Sequence, residues 1–574
     1  MATLSDRSAR RPWFPWEKLG WVLGTFLLLV TAGCDRSTPS AGQRAEKSAA
    51  DTLHLVFSYG SEKEAWIKAV TEEFHRTHPR TASGKRIEVE AIPKGSGECI
   101  DELIAGTAQV HLTSPASAAF VKLGNAQWRA KTGKDLIGPT ENLVLSPVVI
   151  AMWQPMAEAL GWPQKAVGWS DILALASNPR GWASVGMPQW GTFRFGHTHP
   201  QFSNSGLISL FAEAYAAAGK RGGITLEDVR RPQTAEFVRQ IEGAVVHYGS
   251  STGFFGRKMF ANGPQYVGAA VLYENMVIES YAQKPPTAFP LIAIYPKEGT
   301  FWSDHPAGIV EREWVTPEHR EAARQYLDFL LGKPRQQRAL DFGFRPALPD
   351  VPLAAPIDLA HGVNPKEPQT TLEVPSAEVT NAILELWQAN KKHSNVTLVF
   401  DVSGSMTEGG RIDSARLGAR ELVRMLGDRD RFRLLPFNEH VFPMPPGAEL
   451  SGIRPQATKQ IETLIAQGGT ALYDAIAAAY DEHLQRAAEN RDKISAIVVL
   501  TDGADTHSRL KLPALLDKIR FDSELHNIRV FTIGYDSGAQ RDVLEQIANA
   551  TQARFYDGKP GNIREVFKEI STFF

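Results

Sequence analysis

Seven prolines fall in the thirty residues from Pro346 to Pro375: Pro346, Pro349, Pro352, Pro356, Pro365, Pro368 and Pro375. That density excludes a helix and favours extended, semi-rigid chain. The polypeptide must therefore build its cores on either side of this stretch. Strand-like runs alternate with helical patterns on both sides, so the expected class is α/β throughout. At 574 residues, and about 150 residues per domain, three to four compact units are expected. The 43% hydrophobic and 22% charged content is that of ordinary globular domains.

After the prolines, Ser376 is placed to cap a short helix whose Val379, Ile383, Leu386 and Trp387 form one apolar stripe. Residues 347–393 thus read as a connector ending in a helix that docks on a neighbouring domain. In 394–574, three apolar β-prone runs centre on 396–400, 496–500 and 530–534. Helical patterns at 415–426, 471–484 and 512–519 separate them, which predicts a doubly wound parallel sheet. The first run ends in Asp401-Val402-Ser403-Gly404-Ser405 and the second in Thr501-Asp502-Gly503. Gly468-Gly469-Thr470 opens the helix between them. Asp401, Ser403 and Ser405 alternate, so one carboxylate and two hydroxyls can face a single point. Thr470 and Asp502 can join them from neighbouring crossings. All five donors are hard oxygens, which favours Mg²⁺, with Mn²⁺ or Ca²⁺ as alternatives, over Zn²⁺.

This constellation resembles the von Willebrand factor type A (VWA) domain and its metal-ion-dependent adhesion site. Asp401, Ser403 and Ser405 match the first motif, Thr470 the second and Asp502 the third. The resemblance implies a divalent cation that accepts an oxygen from a protein partner. A phosphatase that uses Asp401 as nucleophile would need a second Asp where Ser403 stands, and neither serine has a signalled His/Asp pair.

In 52–346, strands near 53–57, 87–91 and 110–112 each lead into a Gly- or hydroxyl-rich loop and a helix. Ligands of such sheets bind at the carboxyl ends of strands. The loops are Ser58–Ser61, Lys94–Glu98 and Thr113–Ser117, with a similar one at Pro200–Gly206. Strands near 268–273 and 291–295 follow, then a helix over 317–331. The Gly95-Ser96-Gly97 turn, Thr113-Ser114-Pro115, Ser203–Gly206, Tyr295–Thr300 and Gly343-Phe344-Arg345-Pro346 resemble the type 2 periplasmic solute-binding proteins. The resemblance implies two lobes around a cleft, with chain crossings near 143–151 and 288–295 and residues 290–346 rejoining the first lobe. It implies a small polar solute touched by Ser58, Ser61, Ser96, Ser114, Ser203, Asn204 and Ser205. His197-Thr198-His199 and Asp304-His305 lack a third close ligand or a His-Glu-x-x-His helix, so no catalytic metal is expected there. Cys99 falls on an inward helix face and reads as a buried thiol.

Arg7, Arg10, Arg11 and Lys18 precede an uncharged stretch from Leu19 to Gly33, which ends in Ala32-Gly33-Cys34. A basic flank, an apolar centre and small residues are the parts of an export signal over residues 1–33. Fifteen residues fall short of the ~20 that a membrane-crossing helix needs, and an uncleaved, slightly short anchor with Trp13, Trp16 and Trp21 at the interface is the alternative. The ending resembles a bacterial lipobox, although Thr31 replaces its usual Leu, and implies acylation of Cys34. Residues 34–51 read as a tether. Lys+Arg of 62 against Asp+Glu of 64 argues against nucleic acid as a partner.

The expectation is an extracytoplasmic, lipid-anchored binding protein rather than an enzyme. It joins a solute-binding-like bilobal domain to a metal-dependent protein-interaction domain. A transport receptor and an exported metal-dependent hydrolase are the alternatives.

Overall fold

The structure is a computed structural model that describes residues 51–490, 492–520, 528–535 and 539–574. Cys34, the segment 1–33 and the tether up to residue 50 lie outside the described residues. Residues 52–574 form one compact unit. Among the described residues no helix is long and apolar enough to cross a membrane.

Three sheets organise this unit. The first orders its strands Arg86–Lys94, Thr52–Gly60, Leu112–Ser114, Pro306–Val310 and Ile137–Asn142. Its first three strands run parallel and Pro306–Val310 runs antiparallel to both neighbours. Helix Glu64–Arg76 buries Trp66, Val70 and Phe74, which recur every four residues on one face. These side chains share a core with Phe57 and with Tyr326 of helix Pro317–Leu331.

The second sheet is built around the ten-residue strand Val144–Trp153. Ala269–Tyr273, Leu291–Ile294, Trp302–Ser303 and Arg345–Pro346 all pair with it, antiparallel. The chain therefore enters the second lobe at residue 143, as the sequence suggests. It returns at 304–305, between Trp302–Ser303 of the second sheet and Pro306–Val310 of the first. The expected return at 288–295 is corrected. The run Leu291–Ile294 is apolar and fully buried, and it finds its partner in Ile150–Trp153 of the second lobe.

The Pro-rich connector packs along the second lobe rather than bridging open space. Thr300 bridges Thr371, and the Ala293 amide donates to the Gly362 carbonyl at 2.8 Å. Arg345 clamps Glu274 with two bonds of 2.8 and 2.6 Å and also donates to the carbonyls of Asn364 and Pro365. Ser376 caps helix Ala377–Asn390 by accepting from the Val379 amide. Val379, Ile383 and Trp387 of that helix are buried. The Trp387 ring lies 4.9 Å from His199 and 5.4 Å from Tyr248, so the docking face is the second lobe.

The third sheet has the order Ala448–Glu449, Arg431–Phe437, Ser394–Asp401, Ile494–Thr501, Ile528–Tyr535 and Phe555–Gly558. All of its pairings are parallel except that of the Ala448–Glu449 edge. Strands Ser394–Asp401 and Ile528–Tyr535 are buried along their whole length, as central parallel strands covered on both faces must be.

Candidate functional site

The five oxygen-bearing residues meet at the carboxyl edge of the third sheet. Asp401 closes strand Ser394–Asp401, Asp502 follows strand Ile494–Thr501, and Thr470 precedes helix Leu472–Gln485. Asp401, Asp502, Ser403 and Thr470 are buried, and Ser405 is half-buried. Ser403 Oγ lies 3.1 Å from Ser405 Oγ, and Ser405 Oγ donates to Asp502 Oδ1 at 2.7 Å. The Ser403 amide donates to Asp401 Oδ1 at 2.8 Å. A Cβ placed on Gly503 would meet Thr470 Oγ1 at 3.7 Å and Ser405 Oγ at 3.9 Å, so those two hydroxyls flank one glycine.

Burial raises the proton affinity of both carboxylates at this edge. Burial, with the Asp502 charge adding to it, pushes the Asp401 carboxyl up to about 6 against its hydrogen bonds. Burial likewise raises Asp502, while Ser405 and Arg411 pull it back. A hard divalent cation would relieve both burial penalties and satisfy hydroxyl oxygens that otherwise bond one another. The donor set therefore fits such an ion, held by Asp401, Ser403, Ser405, Thr470 and Asp502.

Two supporting residues were not anticipated. Thr501 Oγ1 donates to Asp401 Oδ2 at 2.5 Å, and Arg411 Nη1 reaches Asp502 Oδ2 at 3.0 Å and the Ser405 carbonyl at 3.2 Å. They orient the outer oxygens of the two acids, as residues behind a metal ligand do. Thr501 stands beside Asp502 in the motif and was open to inference. Arg411 reaches the site only because helix Arg411–Met425 starts there.

The seven hydroxyl and amide residues of the two-lobed module line the seam between lobes, and all are buried. Ser58 Oγ pairs with Thr113 Oγ1 at 2.9 Å, and Ser96 Oγ accepts from the Ala116 amide at 2.9 Å. Ser114 Oγ donates to the His305 carbonyl at 3.4 Å. Ser203 and Ser205 both bond Thr252 Oγ1, at 3.2 and 3.0 Å. Asn204 Nδ2 donates to Tyr273 Oη and Ser303 Oγ, each at 3.0 Å.

The lobes touch directly. Ser61 Oγ accepts from the Gly253 amide at 3.2 Å, and the Gly97 amide donates to the Phe202 carbonyl at 2.9 Å. Protein oxygen thus meets the helix N-terminus that the Gly-Ser turn presents. The glycines permit this approach: a Cβ on Gly97 would stand 2.0 Å from the Gln201 carbonyl, and one on Gly95 2.5 Å from that of Phe202. Deeper in, Lys63 Nζ lies 2.8 Å from Glu62 Oε1 and 3.1 Å from His305 Nδ1, all buried. Burial opposes the Glu62 charge, but Lys63 and His305 outweigh it and hold the carboxyl at about 2. His305 Nε2 and Asn204 Oδ1 are buried there without partners. Cys99 is a free, buried thiol that burial pushes up to about 12, which makes it inert at neutral pH.

The domain with the oxygen cluster docks through the opposite edge of its sheet. Arg529 stacks 5.2 Å from the Tyr266 ring, Lys258 Nζ donates to the Ala553 carbonyl at 3.0 Å, and the Tyr248 amide donates to the Phe573 carbonyl at 3.3 Å. A cavity of about 850 Å³ opens where this edge covers the seam. Lys94, Glu98 and Arg257 of the lobes line it, with Arg554, Lys568 and Glu569 facing them.

Fold and site together define a two-lobed solute-binding-type module carrying a doubly wound domain with an oxygen cluster at its strand ends. Residues 55–345, half of the chain, match the family described as bacterial extracellular solute-binding protein. The chain belongs to that family, and residues 395–569 match the von Willebrand factor type A domain. An uncharacterised protein of Mycobacterium tuberculosis H37Rv is 24% identical over 444 residues, which are 74% of this chain and 62% of that protein. Inter-alpha-trypsin inhibitor heavy chain H2 of Mesocricetus auratus is 25% identical over 189 residues, 31% of this chain and 20% of that protein. The chain thus spans a fifth of one curated relative and under two thirds of the other. Among solved structures, a periplasmic thiamin binding protein is 14% identical with a TM-score of 0.43, covering 59% of this chain and 97% of that one. A von Willebrand factor type A protein from Catenulispora acidiphila is 23% identical with a TM-score of 0.28, covering 32% of this chain and 42% of that one.

Proposed function

We propose that this is an extracytoplasmic binding protein, held to the membrane by acylated Cys34, whose VWA domain grips a protein partner through a divalent cation. The observation that carries the reading is the convergence of Asp401, Ser403, Ser405, Thr470 and Asp502 at the carboxyl edge of the third sheet. Strand Ser394–Asp401 runs seven residues from the docked edge to Asp401, about 23 Å at 3.3 Å per residue. The bound cation would offer a coordination position to a carboxylate or similar oxygen of the partner. Ile465, 74% exposed, stands on the loop leading into Thr470 and adds an apolar contact for a protein surface. We assign the site to binding rather than turnover, since the Ser405 hydroxyl donates to Asp502 and not to an imidazole.

A solute role for the two lobes is favoured by His305 Nε2 and Asn204 Oδ1, which a small polar molecule in the seam would satisfy. The ion is Mg²⁺ by donor chemistry, with Mn²⁺ and Ca²⁺ as competitors.

Affinity capture from envelope extract tests the partner claim. The full chain retains a partner with Mg²⁺ and releases it with EDTA, and Asp401→Ala captures none. Capture that ignores both chelator and mutation contradicts the reading. Labelled palmitate enters the wild-type chain in bacteria and not Cys34→Ser; equal labelling of the two removes the anchor.

A further inference from the structure

A second cluster lies in the core of the second lobe, behind the seam wall where Thr198 Oγ1 and Ser205 Oγ lie 2.8 Å apart. His197 leaves strand Phe195–Gly196, Glu213 sits on helix Asn204–Ala218, and Glu242 on helix Pro232–Gly243. All three are fully buried. One ligand atom from each lies within 4.8 Å of the other two.

Their remaining valences point outward to defined partners. His197 Nδ1 lies 2.8 Å from the Thr198 carbonyl oxygen. A carbonyl only accepts, so Nδ1 carries a proton, and Nε2 is the ring nitrogen left to bear either a second proton or a metal ion. That nitrogen sits 3.0 Å from Glu242 Oε1, itself an acceptor. The other oxygen of Glu242 accepts from the Tyr248 hydroxyl at 2.6 Å. Glu213 Oε1 accepts from Ser209 Oγ at 2.9 Å, and its Oε2 is buried with no partner. Electron-rich atoms therefore gather in a dry core, with the donors behind them. A positive charge must stand among them, either as added protons or as a metal ion.

We propose that His197, Glu213 and Glu242 hold a structural divalent transition-metal ion, Zn²⁺ by the chemistry of the donors. One imidazole nitrogen with two carboxylates suits Zn²⁺, and two negative charges balance its two positive ones. The Nδ1–H bond to a backbone carbonyl fixes the tautomer that a ligating histidine needs. The ion ties a strand end to two helices and, being sealed in, enters as the lobe folds. His199, two residues on, turns instead to Trp387 and Phe202, with rings 4.9 and 4.7 Å away. The cluster differs from the oxygen site in having nitrogen, so the two select different ions.

The test is metal content of the full chain, produced in zinc-supplemented medium, treated with EDTA and gel-filtered. About one Zn²⁺ per chain is expected in wild type and in Asp401→Ala, and none in His197→Gln or Glu213→Gln. Protein grown on cobalt should show the visible bands of nitrogen-bound tetrahedral Co²⁺ in wild type and Asp401→Ala, and lose them in the other two variants. Glu213→Gln keeps the side chain's shape, so it carries the comparison if His197→Gln fails to fold. Folded wild type without stoichiometric zinc overturns the proposal, as does zinc content unchanged by Glu213→Gln. Either result leaves added protons as the neutralising charge.

Discussion

At the scale of single residues, the two modules use polar side chains in opposite ways. In the VWA domain, Asp401 and Asp502 are buried beside hydroxyls that face the same point, so oxygen donors are concentrated there with Arg411 as the cation paired to Asp502. In the seam, serine hydroxyls bond the opposite wall or their own lobe, so little is left unmet except at His305 and Asn204. The glycines of the 95–97 turn permit the closure. Gly97→Ala puts a methyl group against the Gln201 carbonyl, and backbone there cannot step aside as a flexible side chain would. That variant should lose about 1–3 kcal/mol of stability through overpacking. Amide exchange should quicken at residue 97 and at Gly253, whose amides donate across the seam, as the lobes part. Unchanged stability and exchange would show that the seam tolerates the methyl.

At the scale of elements, the doubly wound sheet was legible because its central strands are continuous apolar runs ending in motifs. Strand Arg431–Phe437 was not, since arginines alternate with its apolar residues and Pro436 interrupts it. The return crossing escaped for a different reason. An apolar run declares that it is buried, but pairing with residues some 140 positions earlier decides in which lobe. The oxygen cluster was readable because strand ends carry its residues in short motifs. The His197 cluster was not, because its partners come from helices 16 and 45 residues further on. Glu213 amid the buried run Leu207–Tyr215 was the one local signal.

One helix also predicts a pH effect. Helix Leu472–Gln485 inserts His483 against strand Ser394–Asp401, where its ring bonds Thr397 Oγ1 at 2.9 Å. Burial, helped by Arg433, lowers this ring to about 4. Below the unfolded value of about 6.5 the unfolded chain takes up a proton that the folded chain refuses. The contribution is present above 6.5 and is lost as pH falls toward 4. Between pH 7 and pH 5 wild type should lose about 2 kcal/mol more than His483→Gln, read from denaturant midpoints. Parallel losses would show that His483 is protonated in the folded protein.

At the scale of the whole molecule, the VWA domain is fixed by one edge and works, on this account, by the other. Its C-terminal residues Phe573 and Phe574 and the docking helix cement it to the second lobe, and its docked edge roofs the seam. Any rearrangement of the lobes must therefore move that edge, while the oxygen cluster lies at the other end of strand Ser394–Asp401. The net charge of −2 suits the proposed recognition through a few placed oxygens rather than through a charged surface.

The most direct measurement is calorimetric titration of the full chain, stripped of loosely held metal, with Mg²⁺ and Mn²⁺. Wild type is expected to bind one such ion in a saturable step that Asp401→Ala abolishes and His197→Gln leaves intact. Identical titrations of wild type and Asp401→Ala would contradict the assignment of the strand-end oxygens as a metal site, and with it the proposed mode of partner recognition.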